Sequence, residues 1–112
     1  MTKYKRGDII LANFGFSEGR ESKKRPALII SSDRYHKDHQ EVIAVAITHN
    51  IKRVLSYDTK IDEWKEAGLL YPSLVTGIIR TIKNSIIVHR LGALSQQDFQ
   101  KVQENLKKAI GL

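Results

Sequence analysis

The chain contains no cysteine. Disulfides, iron–sulfur clusters, thiolate zinc sites and thiol nucleophiles are therefore excluded. It has only 2 prolines and 7 glycines, and these do not gather into a linker. At 112 residues it is expected to fold as one domain spanning 1–112, large enough to bury about two thirds of the surface its unfolded chain exposes. No apolar run approaches the ~18–20 residues needed to span a bilayer, so no membrane association is expected. The first residues, Met1 to Asp8, are basic. Asp8 and the short apolar stretch behind it do not make a signal-peptide core, and a cytoplasmic location is the expectation. There is no internal repeat and no low-complexity segment. The HExxH, P-loop, GxGxxG and GxSxG spacings are all missing. Acidic residues are also scarce: 12 Asp+Glu stand against 19 Lys+Arg, a net charge of +7. Such a surplus favours polyanionic partners such as nucleic acid or an acidic protein segment.

What is present reads first as strands. Asp8 to Phe14 is apolar and β-rich between Gly7 and Gly15. Ser17 to Lys24 is a polar loop. Pro26 to Ile30 is a short continuous apolar run, the mark of a strand buried on both faces. Ser31 to Gln40 reads as a second polar loop. Val42 to Ile47 is a third strand, with Thr48 at its end. Val54 to Ile61 could form a fourth, its alternation broken by Asp58 and Lys60. Asp62 to Gly68 suggests one helical turn closed by Gly68. Val75 to Ile82 and Ile86 to Arg90 add two more strands around a Lys83-Asn84 turn. The period then changes. Ser95 opens a helix, with Asp98 at the capping-box position. Phe99, Val102, Leu106 and Ile110 form one apolar stripe, and Gly111 ends it. The fold class is α+β, mainly β: a small twisted sheet or barrel with a C-terminal α-helix packed on one side.

Three clusters could carry chemistry. Asp33, His36, Asp38 and His39 have the residue types of a metal site. They fall in a polar loop, however, where such side chains are usually solvated, and a closed site wants four converging ligands; no metal is expected. The second cluster is Arg20, Glu21, Lys23, Lys24 and Arg25. Arg25 directly precedes Pro26, which biases it to extended backbone at the entry of the most apolar strand. A planar, always-charged guanidinium held there suits phosphate recognition. The third is Thr48-His49-Asn50: a hydroxyl, an imidazole and an amide at a strand end, able to orient a polar ligand or simply to make a turn.

The same segments resemble the MazF/PemK family of bacterial toxins. They are Arg6-Gly7-Asp8-Ile9-Ile10 with Phe14, Lys24-Arg25-Pro26-Ala27-Leu28-Ile29-Ile30-Ser31 and Val45-Ala46-Ile47-Thr48. Ala67 to Ser73, Ile79-Arg80-Thr81-Ile82 and Arg90 to Ser95 follow in the family's order. The resemblance covers nearly the whole chain. It implies an SH3-like barrel of five to seven strands, a homodimer, and the toxin component of a type II toxin–antitoxin system. It further implies cleavage of single-stranded mRNA at short sequence motifs, inhibited by a cognate antitoxin that is acidic and partly disordered. By resemblance, the catalytic arginine and threonine fall on Arg25 and Thr48. The acidic residue of the first loop matches Glu21 in kind, and the serine after the Gly-Leu segment matches Ser73. Two features depart from the family pattern. Lys83 stands where many members are acidic, and the stretch from Ser73 to Arg80 is about one residue short.

The implied chemistry suits this composition. RNA carries its own nucleophile, the 2′-hydroxyl, so cleavage by that route needs neither a metal nor a cofactor. It leaves 2′,3′-cyclic phosphate and 5′-hydroxyl ends. It requires charge stabilisation at the phosphate, a base near the hydroxyl and an acid at the leaving oxygen. Arg25 and Thr48 would hold the phosphate; Glu21 and His49 are the candidate bases. Arg20, Lys23, Lys24, Asn50, Ser73 and Arg80 are the candidate RNA contacts. The competing reading is a non-catalytic basic barrel that binds nucleic acid or an acidic protein.

Overall fold

A computed structural model describes residues 4–15 and 22–112. Six strands and two helices follow in the order β1 (Asp8–Gly15), β2 (Ser22–Ile29), α1 (Asp33–Asp38), β3 (Glu41–Thr48), β4 (Thr59–Lys60), β5 (Leu74–Lys83), β6 (Ile87–Ala93) and α2 (Gln96–Ala109). A 3₁₀ turn, Asn84–Ile86, joins β5 to β6. All the strands belong to one antiparallel sheet in the order β4-β5-β3-β2-β1-β6. The strand number lies within the five to seven expected, and the C-terminal helix is where the 3.6-residue period put it. Among the described residues no ladder joins β4 to β6, so the sheet is open rather than closed.

The sheet is nevertheless strongly coiled. β5 and β1 stand three strands apart, about 14 Å across a flat sheet. The Arg80 guanidinium of β5 still lies 5.4 Å from the Phe14 ring centroid of β1. Both faces of the sheet are covered. Ile9, Leu28, Val45, Ile47 and Val75 pack with Val102 and Leu106 of α2. Ile10, Ala12, Ala27, Ile29, Val42, Ala44 and Ile82 form a second cluster on the other face. This explains why β2 reads as a continuous apolar run: Leu28 serves one cluster and its neighbours Ala27 and Ile29 the other.

Several local expectations need correction. β2 starts at Ser22, not Pro26, because Lys23, Lys24 and Arg25 pair with Phe14, Asn13 and Ala12 of β1. Hydrogen-bonded pairing overrides their polarity. The supposed loop 31–40 contains α1, started by Ser32, whose hydroxyl accepts the Tyr35 N–H at 3.1 Å. Val54 to Asp58 is not strand; only Thr59–Lys60 pairs with β5. A local bond accounts for this: the Leu55 N–H donates to the Asp58 carboxylate at 2.8 Å, and Tyr57 takes a φ of 68°. Ser95 caps α2 as read, accepting the Asp98 N–H. The Asp98 carboxylate does not complete the capping box. It accepts instead from the backbone N–H groups of Asp62 (3.2 Å) and Glu63 (2.9 Å).

Candidate functional site

The β2–β3 ladder runs from Ile29↔Ala44 to Ala27↔Ala46 and stops there, although both strands continue. Beyond that point no ladder pair joins the two strands, which leaves a mouth between Pro26-Arg25 on one side and Ile47-Thr48 on the other. Carried two residues further, the register sets Arg25 across from Thr48, on one face of the sheet. That face is the one of the second cluster, because Arg25 pairs with Ala12, a buried member of it. Arg25 is exposed and Thr48 half-buried. The sequence places these residues twenty-three positions apart; the extended register would bring them to one rim.

A bulge in β5 lies on the other side of β3 from the mouth. Val45 pairs with Ile79 and Ile47 with Val75, so three residues of β5 oppose the single residue Ala46. The Thr76 hydroxyl closes the bulge, donating to the Ala46 carbonyl at 2.8 Å and accepting the Ile78 N–H at 3.2 Å. Such irregularities re-aim strands beside functional sites. At the strand end, the Thr48 Oγ1 accepts the Asn50 N–H at 3.1 Å. This small turn holds the threonine side chain and leaves the hydroxyl proton for another acceptor, such as a phosphate oxygen.

The other candidates divide. Lys23 is exposed and pairs with Phe14, on the Arg25 face. Lys24 pairs with Asn13 and projects from the opposite face, since successive side chains on a strand alternate. Arg80 pairs with Ala44 and reaches over Phe14 on the second-cluster face. His49 and Asn50 are exposed beside Thr48. Ser73 is buried at 4% exposure, and its hydroxyl donates to the Tyr71 carbonyl at 2.8 Å. It thus supports the chain behind the surface and does not face outward as an RNA contact would. Arg20 and Glu21 lie outside the described residues, and with them the acidic candidate for the base. Sequence reasoning overlooked two aromatics. Phe14 carries the Arg80 guanidinium, and Tyr71 lies with its ring centroid 5.4 Å from that of His49. The signal for Tyr71 was available: an aromatic immediately before a proline has a restricted backbone.

The histidine and aspartate cluster holds no metal-binding arrangement among the described residues. His36 is buried and bonded to the Ser31 hydroxyl, and His39 stacks on Tyr35 at 3.9 Å. The hydroxyl of Ser31 is in turn tied to Ile43, whose N–H it accepts at 3.0 Å. These side chains fasten α1 to β3. His89, on the edge strand β6, is exposed.

Among known proteins, a family model described as the PemK-like, MazF-like toxin of type II toxin–antitoxin systems matches residues 5–110. The chain belongs to this family. Solved structures agree in fold. A MazE–MazF complex from Deinococcus radiodurans matches with a TM-score of 0.82 at 17% identity, over 100% of this chain and 99% of that one. A mycobacterial endoribonuclease in complex with its cognate antitoxin gives 0.80 at 20% identity, over 97% and 96%. The Mycobacterium tuberculosis toxin MazF-mt6 gives 0.77 at 24% identity, over 94% and 97%. At these identities the structural likeness is one of fold. For this PemK/MazF-family chain, the coiled sheet with α2 against one face is therefore the family's architecture.

Proposed function

We propose that this toxin is a metal-independent endoribonuclease acting on single-stranded RNA, with the β2–β3 mouth as its centre. The observation that supports the reading is the β2–β3 register, which, carried two residues past its last pair, would bring Arg25 opposite Thr48 on one face. In the reaction the RNA 2′-oxygen attacks the adjacent phosphorus and loses its proton to a base. The P–O5′ bond breaks, and the leaving oxygen takes up a proton. The products are a 2′,3′-cyclic phosphate and a 5′-hydroxyl end. Arg25 would hold the phosphate and stabilise the charge that develops on its oxygens, and the Thr48 hydroxyl would donate to one of them. His49, exposed beside Thr48, and Glu21 are the two candidate bases. Lys23 and Arg80 would draw the strand across the face. Single strands are preferred because their bases are free to be read. An acidic antitoxin would inhibit by occupying the same basic rim, and the toxin would act as a homodimer.

The test is end mapping on a long unstructured RNA, with wild type and Arg25→Ala side by side. Wild type should create new 5′-hydroxyl ends in the presence of EDTA. Arg25→Ala should lower the cleavage rate by a factor of about 10² to 10³, the usual effect of losing one charge-stabilising donor, with an unchanged circular dichroism spectrum. Full activity in Arg25→Ala would remove Arg25 from the site. RNA binding with no new ends in wild type would support a non-catalytic binding protein instead.

A further inference from the structure

The endoribonuclease reading assigns groups to the phosphate and makes His49 a candidate base, but leaves the ring beside it, Tyr71, unused. Tyr71 is 59% exposed, with its ring tilted 38° to that of His49 at a centroid distance of 5.4 Å. A tyrosine left so open gains little for the fold, yet its backbone is held firmly. Pro72 follows it and restricts its backbone. The buried Ser73 hydroxyl donates to its carbonyl at 2.8 Å, and the Ser73 carbonyl accepts the Ile61 N–H at 3.1 Å. Thr48 fixes the start of the facing turn through Asn50. The loop then continues with Lys52 and Arg53, both exposed. Rigid exposed aromatics interleaved with cations are the means by which proteins hold single-stranded nucleic acid: the cations follow the backbone and the rings stack bases.

We infer that Tyr71, with His49 beside it, is a stacking platform for an unpaired nucleobase next to the phosphate held at Arg25 and Thr48. The inference rests on the RNA reading above and extends it from the phosphate to the base. Lys52 and Arg53 would take the phosphates that follow. Asn50, whose exposed amide lies at the same turn, would be within reach of the edge of the stacked base. In this arrangement Ser73 is a positioning residue: it acts through the Tyr71 backbone and touches no RNA.

The test measures binding of two 12-nucleotide strands with 2′-fluoro sugars, which cannot be cut. One has mixed bases, and the other is abasic throughout. Tyr71→Ala should weaken binding of the mixed-base strand about 5- to 100-fold, as loss of one stacked base does, and change binding of the abasic strand less than about twofold. Tyr71→Phe keeps the ring and should stay within about twofold of wild type on both. Four results would overturn the platform. They are no loss with Tyr71→Ala, equal loss on both strands, a loss with Tyr71→Phe as large as with alanine, or a change of oligomeric state in Tyr71→Ala by light scattering. The last would mean that the ring packs against a second copy of the chain. Because the probe is uncleavable, the two readings fail separately. Base-dependent binding through Tyr71 in a protein that leaves natural RNA intact would overturn the nuclease and keep the platform. Arg25-dependent cleavage untouched by Tyr71→Ala would do the reverse.

Discussion

Asp98 shows how a single residue can join two parts of the chain distant in sequence. Its side chain is buried, and burial pushes its carboxyl upward. The Glu63 N–H, the Lys101 ammonium and the Asp62 N–H together outweigh that, so it sits below the ordinary carboxylate range. Lys101 is raised in return, by Asp62 first and then Asp98. The sign follows from linkage. A carboxyl lowered in the folded state contributes stability that is fully present above its unfolded value, about 3.9, and is lost as pH falls through the folded value. The lysine contributes below its unfolded value, about 10.4, and that part is lost as pH rises through its folded one. Being half-exposed and screened, it adds little. Asp98→Ala would leave two backbone donors without their acceptor and Lys101 with Asp62 alone. It should cost about 2–3 kcal/mol at neutral pH, measured by urea unfolding. Asp98→Asn should flatten the loss of stability as pH falls below about 4 relative to wild type. An unchanged acid slope in Asp98→Asn would mean that other carboxyls carry it. Sequence reading found Ser95 correctly from its hydroxyl and spacing. It misassigned Asp98, because the donors that claim it lie thirty-five and thirty-six positions upstream, where no local pattern points.

At the scale of elements, the turn at 62–68 is tied to β6 by two glycines. Gly68, at φ +92°, closes the turn with the Gly68 N–H on the Lys65 carbonyl and the Leu69 N–H on the Trp64 carbonyl, the pairing of a Schellman motif. Its backbone lies so near β6 that a Cβ there would stand 2.2 Å from the Leu91 carbonyl oxygen, and one on Gly92 would stand 2.1 Å from that of Ala67. Backbone meets backbone here, so no rotamer change can relieve the clash. Gly92→Ala should therefore cost about 3 kcal/mol in denaturant unfolding, even though its φ is ordinary. A loss under about 0.5 kcal/mol would show that the two segments can part without cost. Gly68 was legible as a helix end from its position. Gly92 was not, because close approach is a tertiary fact. The same limit explains the other element-level misses. β2 extends over three cations because β1 is there to pair with them, and Val54 to Asp58 has strand-forming residues with no neighbour to form a ladder. The apolar runs and the α2 stripe were readable because each repeats with its own period. That the β2–β3 register, carried past its last pair, points Arg25 toward Thr48 was not, since register is set between strands.

Across the whole molecule the +7 charge is not spread evenly in effect. Away from the mouth, several cations are held in ion pairs: Arg90 pairs with Asp8 at 3.0 Å, Lys101 with Asp62 and Asp98, and Lys107 with Glu104. Arg6 lies over Phe99 and bonds the Ile30 carbonyl and Gln103. Lys23, Lys52, Arg53 and Arg80 are exposed on or beside the rim that carries Arg25 and Thr48. A single strand crossing that rim and meeting about four of these charges should bind with a log–log salt slope near −3, since each phosphate on a single strand contributes about −0.7. Lys23→Ala should reduce the slope by about 0.7 and weaken all sequences alike. Lys101→Ala, on the opposite side of the charge balance, should leave the slope unchanged. The comparison is decisive because both variants lower the net charge by one. If the slope followed net charge alone, the two would be indistinguishable, and the RNA would be held by a diffuse field. If it follows position, the surplus is a track laid along one face of the sheet. An acidic antitoxin competing for that track should then lose affinity with Lys23→Ala and not with Lys101→Ala.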